Sequence, residues 1–121
     1  MILPRPIVER RRSIRVDEKL PFTIGHDHYE IEAVTINISN QGVLCAVDRD
    51  IPMMTQLKIA LSLPASAGMR AKLLSARGVV VRKEKGLSEG RFFLAIYFAD
   101  IKSSDREHLE KFIESRLAPN A

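Results

Sequence analysis

Two short clusters in this chain carry residue types suited to holding an anion. The first is Arg11-Arg12-Ser13-Ile14-Arg15. Guanidinium presents a flat fork of donors that fits a phosphate bidentately, and it also fits the O6/N7 edge of guanine. Arg11 and Arg15 are four apart, so on a loop they can clamp two sides of one compact anion, and on a helix they share a face. The second cluster is Asn37-Ile38-Ser39-Asn40-Gln41-Gly42. On an extended chain Asn37 and Ser39 point the same way, one with an amide donor and acceptor, the other with a hydroxyl. Gly42 lets a ligand or an arginine approach the backbone closely. Each cluster has a plain reading as well. The arginines can be a solvated basic tail, and Asn, Ser, Asn and Gly are common turn formers.

Charge sharpens the first cluster. Arg5, Arg10, Arg11, Arg12 and Arg15 stand against Glu9 alone, and the remaining charges from Val16 onward cancel. The whole formal excess of +4 therefore lies in the first fifteen residues. A positive arm on a neutral body is a device for holding something negative.

Taken together, R-x-x-x-R followed about twenty-two residues later by [D/N]-x-S-x-x-G resembles the PilZ family of cyclic di-GMP receptors. Arg11, Arg15, Asn37, Ser39 and Gly42 match every specified position, and Glu9-Arg10-Arg11-Arg12 is similar to the family's usual opening. Gly78-Val79-Val80-Val81-Arg82 and Phe93-Leu94-Ala95-Ile96-Tyr97-Phe98 are similar to its last two strands, and Leu109 to Ile113 to its closing helix. The likeness spans Glu9 to Leu117. It implies that Arg11 and Arg15 grip phosphate and the guanine Hoogsteen edge. It implies that Asn37 and Ser39 hydrogen-bond a guanine and that Gly42 leaves room for base or ribose. Arg10 and Arg12 add field strength. The ligand implied is cyclic di-GMP, with no cofactor and no metal. The implied role is a bacterial second-messenger receptor or adaptor whose arginine arm orders onto the barrel and signals to a protein partner.

The elements that must position these residues read as an all-β body. Residues 1–8 are expected to be a flexible lead, because Pro4 and Pro6 oppose helix. An arginine loop at 9–16 leads into a six-stranded antiparallel barrel over 19–99, closed by a helix over 104–117, all within one domain over 9–118. Leu57, Ile59, Leu61 and Leu63 alternate with polar or small residues in a clean strand. In Tyr29–Asn37 the apolar phase slips at Ala33-Val34, which predicts a bulge there. Ser104 and Glu107 form an S-x-x-E capping box, and Leu109, Phe112, Ile113 and Leu117 predict one apolar stripe.

Composition excludes other classes. No secretory signal and no apolar run of spanning length is present. Cys45 is the only cysteine, so no internal disulfide forms, and a cytoplasmic location is expected. An enzyme is not expected, since Ser39 has no evident partner among His26, His28 and His108. His26-Asp27-His28 reads as a hairpin turn in the absence of a third ligand. Met53-Met54 reads as core filling and Cys45 as a small core residue. Two rival readings stay open. One is a protein-binding barrel that holds no nucleotide. The other is a small-barrel nucleic-acid binder, disfavoured because Phe92, Phe93, Tyr97 and Phe98 read as core and Trp is absent. Self-association through the helix and its neighbouring strands stays open too.

Overall fold

The computed structural model describes residues 14–66 and 68–117. The expected lead at 1–8 and most of the arginine loop, including Arg10, Arg11 and Arg12, lie outside them. Among the described residues, seven strands and one helix follow in order: β1 (Val16–Asp17), β2 (Pro21–His26), β3 (Tyr29–Ile38), β4 (Gly42–Val47), β5 (Gln56–Leu63), β6 (Lys72–Lys85), β7 (Phe92–Ile101) and α1 (Ser103–Leu117). The strands form one antiparallel sheet in the order β1-β3-β2-β5-β6-β7-β4. An additional β3–β4 pairing joins its ends, so six strands close into a barrel and β1 lies outside the ring on β3. Closure removes the free edges that an open sheet would expose.

Period-two patterning explains the interior. Leu57, Ile59, Leu61 and Leu63 point inward from β5, as do Leu94, Ile96 and Phe98 from β7. On β3 the inward set is Ile31, Ala33 and Thr35, and then the phase moves to Ile38. The register against β4 shifts between Thr35 and Asn37, so the bulge lies there and not at Ala33-Val34. The reason is Thr35. A hydroxyl at a core position hides the apolar alternation, yet it is fully satisfied: the Leu20 amide donates to Thr35 Oγ1 at 2.8 Å, and the Thr35 hydroxyl donates to the Glu18 carbonyl.

α1 closes one end of the barrel by placing Leu109, Phe112 and Ile113 in the core. It begins at Ser103, so Ser104 sits inside the first turn and not at a cap position. Leu117, expected on the apolar stripe, is exposed. Buried Asp105 meets Lys72 Nζ at 3.3 Å, tying the helix start to β6. Two other expectations change. Met53 and Met54 are exposed, and Met54 adopts a positive φ of 68°. Ile51 fills that part of the core instead. Phe93 and Tyr97 face outward from β7, with Tyr97 half exposed.

Gly42 has a packing reason to be glycine. A Cβ there would stand 2.2 Å from the Ile96 carbonyl oxygen, because β4 and β7 approach closely where Gly42 pairs with Tyr97. Gly42→Ala is expected to destabilise the fold by about 1–3 kcal/mol, the range for overpacking, measured by denaturant unfolding. Cys45 is fully buried, and burial pushes its thiol up to about 12 despite an opposing backbone hydrogen bond at Leu94. Native protein at neutral pH is therefore expected to resist thiol reagents, and reaction should appear only as the chain unfolds.

Candidate functional site

The root of the arginine arm is stitched to the barrel beside Asn37. Val16 pairs with Ile38 and Asp17 with Asn37, making the two-residue strand β1. The stitch holds the next residue back along the chain, Arg15, over the end of β3. There Arg15 Nη1 donates to Asn37 Oδ1 at 2.8 Å. Two residues twenty-two positions apart thus meet, at an exposed place on the barrel's outer surface. Among the described residues this is the one hydrogen bond either side chain makes. Arg15 has further donors in its fork, and the Asn37 amide nitrogen has two.

The turn after β3 builds the rest of the ledge. Ser39 is fully buried. Its hydroxyl accepts from the Gln41 amide at 3.1 Å and lies 3.5 Å from the Gly42 carbonyl, while its own amide donates to that carbonyl at 2.9 Å. Ser39 therefore shapes the Ser39–Gly42 turn, and the turn-former reading of these residues describes its contacts. Gly42 faces β7, as shown above. Of the sequence-derived set, the structure brings Arg15 and Asn37 into contact and places Ser39 and Gly42 in the turn directly after them. Arg10, Arg11 and Arg12 lie outside the described residues.

Residues that no short motif marks hold this ledge. Asn40 Nδ2 donates to Glu110 Oε2 at 2.9 Å, and Arg106 Nη1 donates to the Asn40 carbonyl at 2.6 Å. The Phe98 amide donates to the Gln41 carbonyl at 2.8 Å. Arg116 Nε lies 2.7 Å from Glu18 Oε2, with its guanidinium 4.6 Å from the Phe112 ring centroid. The turn and the arm root are thus both anchored to α1. Their partners are more than fifty positions away in sequence, which is why spacing alone does not reveal them.

An open cleft of about 1070 Å³ lies elsewhere. It is lined by the His26–Tyr29 hairpin together with Lys58 and Arg77. Tyr29 is eight residues from Asn37 along β3, about 26 Å at the usual strand rise. His26 packs edge-on to Tyr29 and lies 3.3 Å from Asp27, which has a positive φ of 54°. This is a hairpin, and no cluster of three metal-binding side chains occurs among the described residues. No helix among them is long and apolar enough to cross a membrane.

The family model for the PilZ domain matches residues 9–115. No curated protein gives a significant match. Among solved structures, the chain is similar to the Bacillus subtilis inhibitor of motility MotI/DgrA, with a TM-score of 0.79 and 20% identity over 96% of this chain. It spans 56% of that neighbour's length. It is also similar to the PilZ domain with c-di-GMP of YcgR from Escherichia coli, with a TM-score of 0.64 and 12% identity. That match covers 89% of this chain and 92% of that one. At such identities the likeness shows the shared fold.

The α1 anchor has a measurable consequence. Arg106→Ala frees a partly buried carbonyl at the centre of the turn and is expected to cost about 1.5–3 kcal/mol, the range for a hydrogen bond to a charged group. Chemical denaturation monitored by circular dichroism checks it.

Proposed function

This chain belongs to the PilZ domain family, and from that premise we propose that it is a cyclic di-GMP receptor that signals to a protein partner. The observation that carries the reading is the Arg15–Asn37 contact, which joins the arginine motif to the polar ledge on the outer barrel surface. The PilZ domain of YcgR, described with c-di-GMP, shares the fold. Cyclic di-GMP is a dianion with two guanines, so it asks for fixed positive charge and for donors suited to guanine edges.

In this reading Arg15 and Arg11 take phosphate and a guanine Hoogsteen edge. Asn37 supplies a second set of hydrogen bonds from the barrel wall. Ser39 and Gly42 act chiefly through the turn that sets the position of Asn37. Arg10 and Arg12 raise the local potential. Binding draws the arm against the ledge, because its favourable contacts exist only in the bound arrangement. The surface so completed is what the partner reads. The chain acts by binding and not by catalysis.

Titration calorimetry with cyclic di-GMP tests this. Arg11→Ala and Arg15→Ala are each expected to cost about 2–5 kcal/mol of affinity, as for truncating one member of a close charge pair. Asn37→Ala should cost roughly 1–2 kcal/mol. Equal affinities for wild type and all three variants would exclude the arm as the site. Tight, steeply salt-dependent binding of single-stranded oligonucleotides with no response to cyclic di-GMP would favour a nucleic-acid binder.

A further inference from the structure

The outer wall of the barrel is not uniform. Outward residues of β5 include Gln56, Lys58 and Ser62, and those of early β3 include Glu30 and Glu32, an ordinary solvated surface. On β4 and β7 the outward residues are instead apolar: Leu44 and Ala46 on one, Phe93 and Ala95 on the other. Leu44, Phe93 and Ala95, with Ile36 of β3, border an apolar surface cavity of about 300 Å³, flanked by Arg82 and Glu84 of β6. The register of β6 against β7 shifts between Val80 and Arg82, and beyond it Arg82 and Glu84 are both exposed. Neither makes an ion pair among the described residues, so two opposite charges stand unpaired beside an apolar strip.

Strand register orders these six residues into two parallel rows. Arg82 pairs with Ala95, and Ala95 with Leu44. Glu84 pairs with Phe93, and Phe93 with Ala46. Consider a two-fold axis lying in the plane of this face, perpendicular to the strands and midway between the rows. It lays each row over the other row of a second copy. Arg82 then meets Glu84, small Ala95 meets large Phe93, and large Leu44 meets small Ala46. All three pairings are complementary, in charge or in size, and each occurs twice by symmetry.

We propose that this face is a homodimer interface, in which a second copy of the chain packs face to face around that axis. The apolar rows exclude water, and the Arg82–Glu84 pairs at the side select the antiparallel orientation over alternatives that would put like charges together. Aligned sheet-on-sheet packing of this kind is a common way for two sheets to cover apolar faces. The interface does not depend on nucleotide, so its fate is separable from that of the ligand site.

Sedimentation equilibrium on the full chain, without nucleotide, is the test. The wild type is expected to rise with concentration from 13.6 kDa towards twice that mass. Arg82→Glu and Glu84→Arg should each weaken the dimer roughly tenfold or more, since each puts like charges opposite one another at two symmetry-related places. The double reversal should recover the wild-type constant. Ala95→Glu should leave a monomer, with an unchanged circular dichroism spectrum showing that it folds. A wild type that stays at monomer mass at every concentration would overturn the proposal. So would a dimer that none of these variants disturbs. So would a monomeric wild type in which Ala95→Glu instead abolishes cyclic di-GMP binding, since the face would then belong to the ligand.

Discussion

The meeting of the arginine motif with the barrel depends on a two-residue stitch. Val16 and Asp17 add to the end of β3, and that pairing alone brings Arg15 to within hydrogen-bonding distance of Asn37. Without it the positive arm and the neutral barrel would be two unrelated features. A β-ladder of two residues is weak by itself, so the stitch is reinforced from the side. Glu18, directly after it, is paired with Arg116 of the closing helix, and the Glu18 carbonyl accepts from buried Thr35. The arm root is therefore clamped by β3, by the core and by α1 at once.

The same helix also holds the turn that presents Asn37. Arg106 and Glu110 grip Asn40 through its carbonyl and its amide, and β7 grips Gln41. Gly42 then enters β4 so close to β7 that no side chain fits. These contacts give the polar ledge a rigid mount, which a binding site needs if its donors are to be pre-positioned. They also give α1 a physical connection to both halves of the ledge, so a ligand that displaced the arm root would be felt at Arg116 and through Asn40 at Glu110.

Much of this was legible in the residues, and the exceptions have specific causes. The closed six-stranded barrel with its helix follows from clean alternation, as in Leu57 to Leu63, and from the change of period at Ser103–Leu117. The extra strand β1 was not foreseen, since two residues have no period. The bulge was expected too early because Thr35 is polar yet buried. Alternation sets Phe92, Leu94, Ile96 and Phe98 on one face of β7, but the opposite face is apolar too, so Phe93 and Tyr97 also read as core although they face outward. Met53 and Met54 read as core for their hydrophobicity, but the left-handed backbone at Met54 turns that loop outward. At the ledge, Arg15 and Asn37 each belong to one of the two motifs, and the structure places their side chains in contact. The close approach of β7 to Gly42 and the helix contacts of Asn40 depend on tertiary neighbours, and no local pattern encodes them.

We propose that an anionic dinucleotide is received where Arg15 meets Asn37, and not in the cleft by Tyr29. Side-chain amide and guanidinium resonances followed by NMR during addition of cyclic di-GMP would test it most directly. Saturable shifts are expected at Arg15 and Asn37, spreading to Asn40 and Arg116, with His26 and Tyr29 unmoved. Shifts confined to His26, Tyr29, Lys58 and Arg77 would contradict it.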